Sequence, residues 1–365
     1  MTLNSELLGR ECVKEALLYE PGPREKVRCG VCERRCVIGN RKRGFCKTKL
    51  NLDGKLFALT YGDISSVGEN PIEKKPFFHF WPGSVALTVG SYGCNFTCPW
   101  CQNWELSRTP PSPPSSRYIS PEKLVETAIR SRCSGISFSF NEPAVSLFEY
   151  SLDVMRLAKN SGLYSTYVTN LYSTPEALSA IIDNGCDAFC VNMKGSEKAV
   201  RDYCRADIEH VWRNLREVRK RGKHIEIVTL VIPSINSDEN TLRSIAARVR
   251  DELGSTVPWH CTRYYSAYRA PSLNLPEETS VGTLDRAREI GLEEGLKYVY
   301  VGNIPGHKGE NTYCPNCGSL LIERIGLSMK YRQIDKLDNS CSVCHCSIEI
   351  SGKCLEPKQT WMRDS

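Results

Sequence analysis

The sequence predicts an α/β protein, a full or partial β/α barrel with a small cysteine-bearing attachment at either end. Three observations predict it. Strand-like apolar runs recur near 84–90, 135–140, 163–169, 187–192, 224–232, 256–261 and 297–301, with helical patterns between most of them. Strands that alternate with helices form parallel sheets, and six or more such units favour a barrel over a doubly wound open sheet, the alternative topology. A chain of 365 residues, 41% of them hydrophobic, can bury one core of that size. Most of its nineteen cysteines fall into three groups, and the expected boundaries are 1–83, 84–305 and 306–365.

Residues 3–18 place Leu3, Leu7, Leu8, Ala16, Leu17 and Leu18 among charges, the pattern of a short amphipathic helix packed on the body. Cys29, Cys32, Cys36 and Cys46 follow at C-x2-C-x3-C-x9-C spacing, with Gly30, Gly39 and Gly44 allowing tight turns. Four thiolates close a site, as structural zinc or an auxiliary [4Fe–4S] cluster requires, and spacing does not choose between them. Ten Lys or Arg residues lie between Arg24 and Lys49. Such a face is solvated or docks an acidic partner protein; gripping nucleic-acid phosphates is the less favoured use. Leu56 to Leu59 reads as a strand.

In the barrel segment, Ser120-Pro121-Glu122 opens a helix, with Leu124, Val125, Ala128 and Ile129 as its apolar stripe. Thr174-Pro175-Glu176 repeats that opening, with Gly185 as the stop, and Ser237-Asp238-Glu239 begins a third helix. Thr109 to Ser116 is a Pro-rich extended connector. At the end of the chain, Cys314/Cys317 and Cys341/Cys344 form two C-x2-C knuckles with 23 residues between them and a strand from Leu320 to Ile325. That is the signature of a zinc ribbon, whose metal folds the module.

No stretch reaches the length of a transmembrane span, and Met1 to Leu18 lacks the basic-then-apolar order of a secretion signal. Paired cysteines in such a chain point to metal sites in a reducing cytoplasm rather than to disulfides. The net charge of +6 is mild. No Ser-His-acid or paired-carboxylate arrangement is evident. His260 and His307 read as loop hydrogen-bonders, and Cys133, Cys186, Cys190, Cys204 and Cys261 as ordinary buried thiols.

The central motif is Cys94-Asn95-Phe96-Thr97-Cys98-Pro99-Trp100-Cys101, with C-x3-C-x2-C spacing, directly after the apolar run Val85 to Gly90. Three thiolates hold three irons of a [4Fe–4S] cube and leave the fourth open to another ligand. In β/α barrels the reactive groups sit at the C-terminal ends of the strands. Other polar residues fall at such ends: Asn141-Glu142, Thr169-Asn170, Asn192-Met193-Lys194 and Asn303. A cationic sulfonium with an amino-acid tail needs a carboxylate near its ammonium and polar donors for its ribose. Glu142, with Asn192 or Lys194, offers these.

Cys94, Cys98 and Cys101, with Trp100 before the third, resemble the radical S-adenosylmethionine (SAM) superfamily. More narrowly, the chain is similar to the radical enzymes of the AmmeMemoRadiSam system, which are pyruvate formate-lyase activating enzyme-like. The likeness runs through Cys29-Gly30-Val31-Cys32, Asn70 to Pro76, Gly93-Cys94-Asn95-Phe96, Cys101-Gln102-Asn103-Trp104, Phe140-Asn141-Glu142-Pro143, Gly302 to His307 and the Cys314 knuckle. It implies a partial (β/α)6 TIM-like barrel with Cys94, Cys98 and Cys101 on a [4Fe–4S] cluster and S-adenosylmethionine on its fourth iron. Asn141 and Glu142 take the place of the motif that holds the amino group, Trp100 lies near the adenine, and Asn303 is a weaker adenine candidate. Asn192 stands where activating enzymes often carry Asp, which leaves Lys194 as the better carboxylate partner. The implied reaction is reductive cleavage to a 5′-deoxyadenosyl radical that abstracts hydrogen from a substrate. A ferredoxin- or flavodoxin-like donor would supply the electron. The substrate is open: a protein (glycyl-radical activation or peptide modification), a small metabolite or lipid precursor, or RNA.

Overall fold

The computed structural model describes residues 3–357. Two compact units emerge. The first comprises 3–69, Ala86–Phe189 and Cys204–Asn214; the second comprises Asn70–Val85, Cys190–Tyr203 and 215–357. This division cuts across the linear segments 1–83, 84–305 and 306–365.

The first unit is built on strands β1 (Ser66–Pro71), β2 (Val85–Gly90), β3 (Gly135–Phe138), β4 (Tyr164–Thr169) and the start of β5 (Ala188–Asn192), in that spatial order. β2, β3 and β4 are parallel and in register, Ala86 and Tyr164 each opposite Gly135. β1 runs against β2, with the Ser65 amide donating to the Gly90 carbonyl and the Ile72 amide to the Ser84 carbonyl. The second unit continues from the end of β5 through β6 (His224–Val231), β7 (Trp259–Arg263) and β8 (Val299–Gly302), again parallel from β6 to β8. Within the first unit β2, β3 and β4, and within the second β6, β7 and β8, lie side by side in the order of the chain, whereas a doubly wound sheet reverses its order at a switch point.

The three helix openings read from the sequence are present. Ser120 Oγ accepts from the Lys123 amide at 3.2 Å, Thr174 Oγ1 from the Ala177 amide at 3.1 Å and Asp238 Oδ1 from the Thr241 amide at 2.9 Å, each satisfying an orphan donor of the first turn. Leu124, Val125 and Ala128 are buried as their spacing requires, but Ile129 is 51% exposed and lies off the stripe. Helices Phe148–Asn160, Ile208–Lys220 and Val281–Glu293 supply further crossovers.

Two other expectations change. The helix near the start spans only Leu3–Leu8; Lys14–Glu15 is instead a strand paired with Lys55–Ala58. The Ala16 amide also donates to the Leu56 carbonyl, so sheet pairing overrides the helical pattern beyond Leu8. His260 is not in a loop. It lies in β7, 2% exposed, and its Nε2 is 2.7 Å from Glu226 of β6.

That glutamate is the centre of a buried polar network. It accepts from the Phe78 and His79 amides at 3.0 and 2.7 Å and lies 3.0 Å from His224 Nε2. His79 Nε2 meets the Tyr300 hydroxyl at 2.6 Å. Burial alone would raise the Glu226 pKa, but its bonds to His224 and His260 outweigh burial and hold it far below the usual carboxylate range. Around this network, Phe78, Tyr298 and Tyr300 form one core with Leu321, Ile322, Met329 and Ile348 of the C-terminal segment.

Candidate active site

The site grows from the C-terminal end of β2. After Gly90 the chain turns through Ser91 to Gly93 into the Cys94 loop. Gly93 has φ +85°, and a Cβ there would stand 2.5 Å from the Cys46 carbonyl oxygen and 2.6 Å from Thr48 Cγ2. Only glycine permits that backbone and that approach. The N-terminal cysteine segment therefore packs directly on the central loop.

Side chains from neighbouring strand ends hold the loop. Asn141, just past β3, donates from Nδ2 to the Gly93 carbonyl at 2.7 Å. Asn170, just past β4, donates from Nδ2 to Asn95 Oδ1 at 2.8 Å. The Arg34 guanidinium donates to the Asn95 carbonyl and, at 3.1 Å, to the Cys204 carbonyl, while Arg108 donates to the Phe96 carbonyl. The Phe96 amide points at Cys94 Sγ at 3.4 Å. Trp100 is buried between Cys98 and Cys101.

Glu142 is 2% exposed, and its carboxylate caps the short helix Pro143–Ser146 through the Ala144 amide at 3.2 Å. It also accepts from Thr169 Oγ1 at 2.6 Å and from the Asn170 amide at 2.7 Å. Burial, and next the negative charge of Glu142, push the Cys94 thiol well above its usual range.

The structure thus brings Cys94, Cys98, Cys101, Trp100, Asn141 and Glu142 together in the first unit. Asn192, Lys194 and Asn303 lie in the second. There Lys194 Nζ donates to Asn192 Oδ1 at 3.2 Å, so the Asn in place of an acid neighbours the lysine. Asn303 is exposed at the end of β8, donating to the Arg263 carbonyl at 3.0 Å. Sequence reading gave no role to Arg34, which lies outside the central motif, or to Asn95, which lies inside it but is not one of its ligands. It also took Cys204 for an ordinary buried thiol. Cys204 is buried, but its sulfur is 3.3 Å from that of Cys98.

The other two cysteine groups differ. Cys314, Cys317, Cys341 and Cys344 bring all four sulfurs within 4.8 Å of one another, with Cys314 to Cys344 at 3.5 Å and Cys317 to Cys341 at 3.7 Å. The group can hold a metal ion and fits a zinc ribbon on the strands Leu320–Ile325 and Ser328–Tyr331. Burial raises Cys314 to about 12, whereas the Ser319 hydroxyl and amide lower exposed Cys317 to about 6. Cys29, Cys32, Cys36 and Cys46 line one cavity. Burial raises Cys29 to about 12 and Cys32 well above the usual thiol value.

Comparison with known proteins decides the family. Residues 88–245 match the model of the radical SAM superfamily. The chain belongs to the radical SAM superfamily. It is 40% identical over 338 residues to the uncharacterized protein MJ0808 of Methanocaldococcus jannaschii, covering 93% of this chain and 99% of that protein. A putative glycyl-radical enzyme activating enzyme of the same organism, MJ1227, is 23% identical over 178 residues, covering 47% of this chain and 71% of the other. Among solved structures, a domain of pyruvate-formate lyase-activating enzyme from Bacteroides vulgatus aligns with a TM-score of 0.41 at 18% identity, over 47% of this chain and 99% of that one. A radical SAM methyltransferase from Sphaerobacter thermophilus aligns with a TM-score of 0.48 at 15% identity, over 63% and 71%. As a radical SAM enzyme, the chain implies a [4Fe–4S] cluster, S-adenosylmethionine and an external electron donor. Among the described residues no helix is long and apolar enough to cross a membrane.

Proposed function

We propose that this radical SAM enzyme holds its cluster on Cys94, Cys98 and Cys101 and acts on a protein substrate in the cytoplasm, as an AmmeMemoRadiSam-type, activating-enzyme-like protein. The observation that carries the cluster assignment is the convergence of three strand ends on one loop: the cysteines after β2, Asn141 and Glu142 after β3, and Asn170 after β4. The residues fit the cluster. The three thiols come from one loop whose carbonyls are tied down by Asn141, Arg34 and Arg108. Asn95 is 1% exposed, and its Nδ2 has no hydrogen-bond partner among the described residues. A buried donor of that kind calls for an acceptor, and cluster or cysteinyl sulfur is one.

When bound, the cluster and S-adenosylmethionine supply a 5′-deoxyadenosyl radical. The chain binds, orients and excludes water. Glu142 sets its carboxylate charge toward the ammonium of the methionyl group. Asn141 keeps the loop in register, Trp100 gives the site an apolar wall, and Lys194 and Asn303 take the polar ends of cofactor or substrate. A partial (β/α)6 barrel is the matching architecture. The protein substrate rests on the relative whose name is that of a glycyl-radical enzyme activating enzyme, and on the basic stretch from Arg24 to Lys49 as a docking face.

Anaerobic reconstitution with iron, sulfide, reductant and S-adenosylmethionine tests the chemistry. 5′-Deoxyadenosine should form with intact protein and fall to background in Cys98→Ala; equal yields from both would sink the assignment. Deuterium tests the substrate. Label should enter 5′-deoxyadenosine from a deuterated cell-protein fraction and not from deuterated metabolites; the reverse result transfers the role to a small molecule.

A further inference from the structure

We propose that Cys29, Cys32, Cys36 and Cys46 hold a second [4Fe–4S] cluster rather than zinc, seated against the loop that carries Cys94. All four line one cavity, and Arg34, Lys49 and Asn95 share its wall. The spacing of the sulfurs carries the choice of metal. One zinc ion draws four thiolates to about 2.3 Å, so tetrahedral geometry sets their sulfurs about 3.8 Å apart. The Cys314 group has that spacing, at 3.5 and 3.7 Å. Among the described residues, no three of Cys29, Cys32, Cys36 and Cys46 bring their sulfurs within 4.8 Å of one another, although all four face the same void. A cube assigns each thiolate to a different iron and holds the sulfurs further apart. Cys94, Cys98 and Cys101 share that open spacing.

The surroundings suit a cluster. Val31, Ile38 and Val145 make the wall apolar, which shields a cluster from water. The Arg34 cation offsets part of the negative charge of a cluster held by four thiolates, whereas the charge of buried Lys49 is met by Glu149, whose Oε1 lies 2.7 Å from its Nζ. Asn95 adds a buried donor, Nδ2, without an acceptor among the described residues. The same asparagine follows Cys94, and the Cys46 carbonyl presses against Gly93. The two clusters would therefore be close neighbours.

Metal counting on the full chain tests this independently of S-adenosylmethionine cleavage, which reports only the Cys94 set. Anaerobically reconstituted intact protein should carry about eight irons and one zinc. About four irons with two zincs would overturn the proposal. In C94A/C98A/C101A iron should halve and the brown absorbance persist, and adding C32A and C36A should remove the rest with zinc unchanged. Residual iron that survives C32A and C36A, or zinc that falls with them, overturns it as well. Should the triple variant fail to fold, the count on the intact chain decides. Fully reduced intact protein should show an electron paramagnetic resonance spectrum broadened by coupling between the clusters; two uncoupled signals would refute their proximity.

Discussion

The C-terminal ribbon and the cysteines of the first unit use the same ligand atom in opposite ways. In the ribbon, two short knuckles close four sulfurs into a knot less than 4.8 Å across, and Cys317 is exposed. In the first unit the sulfurs are spread around buried space, and the scaffold is a parallel sheet whose strand ends supply Asn141, Glu142 and Asn170. The difference is one of sulfur spacing: the C-x2-C knuckles of the ribbon gather four sulfurs within 4.8 Å, whereas among the described residues no three of Cys29, Cys32, Cys36 and Cys46 do so. A ribbon gathers its ligands from hairpin turns and needs little else. A cluster beside a sheet depends on distant residues such as Arg34 to hold its loop.

The largest effect that separates the two regions is metal removal. A chelator that strips the ribbon should unfold residues 306–357, because structural zinc contributes roughly 10 kcal/mol or more to modules of this type. Limited proteolysis should then cut there while the iron absorbance stays. Loss of that absorbance in step with zinc would break the distinction.

Next comes Lys49→Met. It leaves Glu149, 3% exposed, without its partner, and a broken buried pair costs about 3–5 kcal/mol. Chemical denaturation should show the loss, with the ribbon's zinc retained; an unchanged midpoint would show that the pair is not needed to seat the first unit.

Acid should act on the second unit. Burial lowers His79 from 6.5 to about 4, so the unfolded chain binds more protons between those values and stability rises with pH across that window. That contribution, at most about 3 kcal/mol, is complete above pH 6.5 and is lost as pH falls toward 4. Glu226, also depressed, adds stability present above the ordinary carboxylate pKa and lost below it. Melting followed from pH 7 to 4 checks the slope, and His79→Phe should flatten it.

The smallest effect falls on Glu142→Gln. Removing one charge-assisted bond of about 1.5–3 kcal/mol should weaken S-adenosylmethionine binding about tenfold or more. Iron content should not change. An unaltered Kd would leave Glu142 a structural role, with bonds such as those to Ala144, Thr169 and Asn170.

Much of the fold was legible because it is written in local periodicity and caps. The strands β2 to β6 begin and end within a few residues of the apolar runs, and Ser120, Thr174 and Asp238 cap the helices they announced. The early helix was overread because pairing of Lys14 and Glu15 with Phe57 and Ala58 is a long-range event. His260 was given a loop role although the apolar run near 256–261 contains it, because its partner Glu226 lies on a neighbouring strand far away in the chain.

The sequence by itself determined the chemistry available: three thiols in one loop, two four-cysteine groups around it, and strands alternating with helices. Those are properties of residue type and spacing, which local turns convert directly into geometry. Only the tertiary structure decided how far apart the sulfurs stand, and that Asn141, Asn170, Arg34 and Arg108 clasp the central loop. It also set Gly93 against Cys46 and Cys204 beside Cys98. Each of these contacts joins residues far apart in the chain, and their distances are set by how the sheet and its attachments pack, which no local pattern encodes.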